Sequence, residues 1–129
     1  MPGFWSGGDS AEFGRVLNGM PQAQTEKADR SADFYLKGRD MNDPLVVPAL
    51  FPQVLAKFPP TLILTGTRDV AMSNALVTHS RLLAAGAPSQ LEVQEGMGHG
   101  EFNTAYGTPE ALTAMDLIWR FFDSHLGKR

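Results

Sequence analysis

The stretch Thr61-Leu62-Ile63-Leu64-Thr65-Gly66-Thr67-Arg68-Asp69 decides the fold. Its first half is a short apolar run closed by a glycine. Such a run reads as a strand buried on both faces, the kind found inside parallel sheets. The residues downstream support that reading. Ser73 is an expected N-cap for a helix running to about Ala85, with Leu76, His79 or Ser80, and Leu83 on one face and Gly86 as terminator. Gln90-Leu91-Glu92-Val93-Gln94-Glu95 then alternates polar and apolar residues, as a half-exposed strand near a sheet edge does. The last element is the best marked. Thr108 is the cap, Pro109 takes the first helical position and Glu110 suits the positive end of the dipole. Ala111, Met115, Ile118, Trp119, Phe122 and Leu126 form its apolar stripe, and Gly127 ends it. Strand, helix, strand, helix is the order of an α/β layer with parallel strands near 61–66 and 90–95, joined by right-handed crossovers.

Upstream the character changes. Seven of the nine prolines lie in residues 1–60, and no clear strand does. A helix is expected from about Gln24 to Leu36, with Ala28, Ala32, Tyr35 and Leu36 on one face and Gly38 as a stop. The prolines of the segment from Asp43 to Pro52 forbid a continuous helix or central strand there. That segment is expected to be an extended loop with apolar anchors.

Bulk properties narrow the function. The chain has 129 residues, one ordinary domain or a piece of one. It is 43% hydrophobic and 19% charged, the balance of a globular protein. A net charge of −3 without a basic run gives nucleic-acid binding no electrostatic support. No apolar run approaches the length of a membrane span. There are no cysteines, which is compatible with a reducing cytoplasm and excludes thiolate chemistry. The three histidines have no metal-ligand spacing, so neither metal nor other cofactor is expected.

In an open parallel sheet, reactive groups collect beyond the carboxyl ends of the strands. Asp69 comes three residues after one expected strand end and His99 four residues after the other. Both should stand on the same rim. A histidine is the usual general base near neutrality, and a carboxylate can hold its ring in the required tautomer. Glycines on both sides of His99 let its loop turn sharply. A strand-end aspartate also serves commonly as a turn residue, so spacing alone leaves both readings of Asp69 open. His79 is expected to be a solvated helix residue, and His125 to favour a helix C-terminus.

The ordered set of motifs is more specific. Phe58-Pro59-Pro60 with the strand and turn to Asp69 resembles the seventh strand and acid turn of the α/β-hydrolase superfamily, most like the hormone-sensitive-lipase-like esterases. Leu82-Leu83-Ala84-Ala85-Gly86-Ala87-Pro88 resembles the end of the following helix, and Glu95-Gly96-Met97-Gly98-His99-Gly100 the histidine loop. Tyr35-Leu36-Lys37-Gly38 and Asp43-Pro44-Leu45 resemble the segment leading from the cap back to the sheet. The resemblance covers about residues 33–126. It implies that Asp69 is the triad acid, that His99 is the base, and that Trp119 and Phe122 pack the last helix on the sheet. It also divides the chain into a partial cap and loop segment, 1–60, and a C-terminal core portion, 61–129. Three positions depart from the family pattern. Ser73 stands where a second acidic residue is frequent, Glu101 separates His99-Gly100 from Phe102, and Val47 replaces a frequent serine.

Gly8-Asp9-Ser10-Ala11 resembles the nucleophile turn of the same family, but Ser10 is not expected to be the nucleophile. No apolar strand precedes it, Glu12 replaces a glycine, and only 59 positions separate it from Asp69. No other serine sits in a suitable turn. The expectation is a C-terminal fragment of a serine carboxylic-ester hydrolase acting on a small acyl ester, inactive alone. A peptidase or amidase of the same superfamily is a variant of that reading. The alternative is a non-catalytic module that self-associates through an open sheet edge.

Overall fold

A computed structural model describes residues 39–40 and 43–127. The expected helix at Gln24–Leu36, the turn around Ser10, and most of the 1–60 segment lie outside the described residues.

The first described elements are short. Pro48–Leu50 form a 3-10 turn and α1 spans Pro52–Leu55. The extended loop expected here is therefore partly helical. Each proline stands at the start of its turn, where a missing N–H costs nothing and a fixed φ favours the helix. Asp43 begins the sequence of turns by accepting the Leu45 N–H at 2.8 Å. The apolar anchors are Val47 and Leu55, both buried.

Strand β1 spans Thr61–Gly66, as its sequence predicts. Helix α2 spans Met72–Ala84 and strand β2 spans Ser89–Gln94, one residue earlier than its alternation suggested. The two strands pair in parallel, from Thr61 opposite Ser89 to Gly66 opposite Gln94. Their carboxyl ends are consequently adjacent. The short α3, Glu101–Thr104, and the long α4, Pro109–Leu126, complete the chain. The capping prediction for α4 holds: Thr108 Oγ1 accepts the Ala111 N–H at 3.3 Å.

Three readings of α2 are corrected. Its N-cap is Ala71, with no side-chain bond of its own, and Ser73 lies in the first turn. The carboxylate of Asp69 takes the capping role at a distance by accepting the Ala71 N–H. The inward face also differs. Leu82 is the fully buried residue, packed with Leu55 and Ala87 and flanked by Ile63 and Ala85, while Leu76 and Leu83 are exposed. Burying Leu82 contributes about 2 kcal/mol, so this small cluster holds α1, α2 and β1 together. On the same side of α2, His79 is half-buried, its Nδ1 2.9 Å from Ser89 Oγ at the start of β2. It is not the solvated residue expected.

Helix α4 contacts β1, and its two buried residues are small. Ala111 and Ala114 are buried, whereas Trp119 is 61% exposed and Phe122 45%. The expected packing of these two aromatics on the sheet is corrected accordingly. Close approach needs short side chains, and only the first half of the helix has them facing inward. Among the described residues no helix is long and apolar enough to cross a membrane.

Candidate active site

The turn after β1 is built around a backbone crossing. Gly66 ends the strand, and a Cβ there would lie 2.6 Å from the carbonyl carbon of Met97 and closer still to its oxygen. Only glycine lets the histidine loop pass this near. The Met97 carbonyl then accepts the Arg68 N–H at 3.1 Å. The Thr67 N–H donates to the Gln94 carbonyl at 3.0 Å, and the Gly96 N–H donates to Thr67 Oγ1 at 2.9 Å. The acid turn and the histidine loop are thus bonded to each other at three places, each involving backbone.

Within this frame Asp69 is buried, 7% exposed, with each carboxylate oxygen engaged. Oδ2 accepts the hydroxyl of Thr65 at 2.9 Å. Oδ1 accepts the Ala71 N–H at 2.7 Å and lies 2.9 Å from His99 Nδ1. An ionised carboxylate has only acceptor sites, so the Nδ1 proton must be donated toward it. The neutral ring then carries its proton on Nδ1 and presents Nε2 as a free base. The His99 side chain is 66% exposed, and Nε2 has no hydrogen-bond partner among the described residues.

The fold therefore brings the two predicted site residues together across the rim of the sheet. Thr65 is a site residue that sequence reasoning misses. Its signal is a hydroxyl in an otherwise aliphatic strand, four residues before an acid. A buried hydroxyl requires a partner, and Asp69 is in reach once the turn folds back. Glu101 stands out in the sequence only as a departure from the family pattern. Its carboxylate accepts the Gly98 N–H at 2.8 Å, next to His99. His125 stays remote in role, bonded through Nδ1 to its own helix end at Phe121 O and Ser124 Oγ. Among the described residues no group of three potential ligands is placed to hold a metal ion.

A buried carboxylate 2.9 Å from an exposed imidazole at adjacent strand ends has the geometry that acid–base chemistry needs. Comparison with known proteins agrees with that architecture. No curated protein matches the chain. The crystal structure of esterase E25 matches with a TM-score of 0.65 and 37% identity, over 73% of this chain and 28% of that one. The chain thus spans little more than a quarter of the length of that esterase. A family model described as alpha/beta hydrolase fold matches residues 7–103, which include β1, α2, β2, Asp69 and His99. A match over that much of the sequence establishes that the chain belongs to the alpha/beta-hydrolase fold family.

Proposed function

We propose that this chain carries the base and the orienting acid of a serine carboxylic-ester hydrolase, with a small or medium acyl ester as substrate. The nucleophilic serine comes from polypeptide outside these residues. His99 Nε2 takes the serine proton as the hydroxyl attacks the ester carbonyl, and returns it to the leaving alkoxide. Water then attacks the acyl-serine with the same nitrogen as base. Asp69 stays ionised, holding Nδ1 and stabilising the imidazolium formed in each half-reaction. The bond of 2.9 Å between His99 Nδ1 and Asp69 Oδ1 is the observation that carries this reading.

The 37% identity to an esterase favours ester over amide cleavage. The acid–base chemistry of peptidases and amidases in the superfamily is the same, so an anilide panel run beside p-nitrophenyl esters separates them. The test is a chimaera in which the matched segment of esterase E25 is replaced by this chain. It should cleave p-nitrophenyl acetate, and His99→Ala should abolish turnover. A folded chimaera no faster than its His99→Ala form would end the proposal. The chain by itself should show no turnover above its own His99→Ala variant.

A second reading is favoured by the sheet. Among the described residues β1 pairs with β2 alone, leaving its other edge without a strand. An open edge recruits further chain. Self-association in isolation is the expected result, and a clean monomer by light scattering would count against it.

A further inference from the structure

The His99 loop holds a second carboxylate whose position serves the histidine. Gly98, His99, Gly100 and Glu101 make a four-residue turn closed twice. The Glu101 N–H donates to the Gly98 carbonyl at 3.3 Å, and the Gly98 N–H donates to Glu101 Oε2 at 2.8 Å. His99 lies inside that ring of contacts. Gly100 has φ +69° and ψ 7°, the conformation a type II turn requires at its third residue. Gly98 is adapted to the carboxylate: a Cβ added there would lie 3.1 Å from both Cδ and Oε1 of Glu101. Thus the side chain rests on the bare face of the glycine.

We infer that Glu101 is a positioning residue for His99: its carboxylate closes the Gly98–Glu101 turn and thereby holds the imidazole against Asp69. The inference rests on the acid–base role proposed for His99. Glu101 acts through the backbone on either side of the histidine and needs no contact with substrate. Without the acceptor, the Gly98 N–H turns to water and the turn is closed by the 3.3 Å bond from the Glu101 N–H to the Gly98 carbonyl alone. His99, already mostly exposed, then spends less time with Nδ1 on Asp69.

The test compares Glu101→Ala and Glu101→Gln in the full 129-residue chain. The ¹⁵N–¹H signals of the His99 ring and the exchange rate of its Nδ1 proton are followed by NMR. Glu101→Ala should raise that exchange rate about fivefold, the scale of one net hydrogen bond. Glu101→Gln, which keeps an acceptor oxygen, should restore most of the protection. Gly98→Ala is the second variant. It needs no unusual backbone angle, since Gly98 is not among the positive-φ glycines. Its methyl presses the carboxylate back by a few tenths of an ångström, so it should raise the exchange in the same direction as Glu101→Ala but by less. Exchange and ring signals unchanged in both alanine variants would overturn the inference, as would failure of glutamine to rescue. In the esterase chimaera, Glu101→Ala should lower kcat and leave KM unchanged, and equal kcat would also overturn it. These outcomes are separable from the proposed function, because the ring signals are read without any ester cleavage.

Discussion

Thr65→Val removes one hydroxyl from the site and leaves the side-chain volume nearly unchanged. Thr65 is buried and its Oγ1 is 2.9 Å from Asp69 Oδ2, itself on a buried carboxylate. A hydrogen bond to a charged acceptor contributes about 1.5–3 kcal/mol. The methyl that replaces the hydroxyl gains at most about 0.8 kcal/mol by burial. The substitution should therefore destabilise the chain by about 1–2 kcal/mol. Urea denaturation followed by circular dichroism should show a midpoint lower by about 0.5–1 M, for slopes usual in small proteins. Thr65→Ser keeps the donor and should retain the His99 Nδ1 proton signal, whereas Thr65→Val should broaden it, because the carboxylate is then held at one oxygen only. A valine variant with the wild-type midpoint and an unaltered His99 signal would refute the claim that this hydroxyl orients the acid.

The same geometry bears on three other substitutions. Gly66→Ala drives a Cβ into the Met97 peptide, which is backbone and cannot swing aside. A loss of about 3 kcal/mol or more is expected, and an unchanged melting temperature would contradict it. Gly86→Ala is a contrast: nothing lies within 4 Å of the added Cβ, so only the φ of +81° is penalised. That loss should be about 1 kcal/mol, read by urea titration. Asp69→Asn in the esterase chimaera should reduce kcat by about 10⁴, because an amide can bond the wrong histidine tautomer. A fall of less than about tenfold would remove Asp69 from the reaction.

The sequence was most legible where one signal had one consequence. An aliphatic run with a terminal glycine fixed β1 to the residue, and Thr108-Pro109-Glu110 fixed the start of α4. The meeting of Asp69 and His99 was legible too, because parallel strands bring their carboxyl ends together whatever the details between them. Reading failed where several residues competed for one role. Helix α2 carries Leu76, Val77, Leu82 and Leu83, enough apolar residues for two faces, and burial chose the one containing Leu82. Ser73 had the right chemistry for a cap, yet Asp69 satisfied the Ala71 N–H from outside the helix. In α4 the large residues of the stripe suggested the contact face, whereas the short side chains of Ala111 and Ala114 permit it. The part played by Thr65 was hidden, because a hydrogen bond across the strand-to-turn junction depends on how sharply the chain reverses after Gly66.

The seat of the Met97 carbonyl over Gly66 limits how such domains can be shuffled. A recombination breakpoint between positions 69 and 94 would set one parent's acid loop beneath another parent's histidine loop. Any side chain at position 66 in the incoming half would then strike a fixed peptide. Library designs that keep segments 66–69 and 94–99 linked should therefore yield more folded progeny than those that split them.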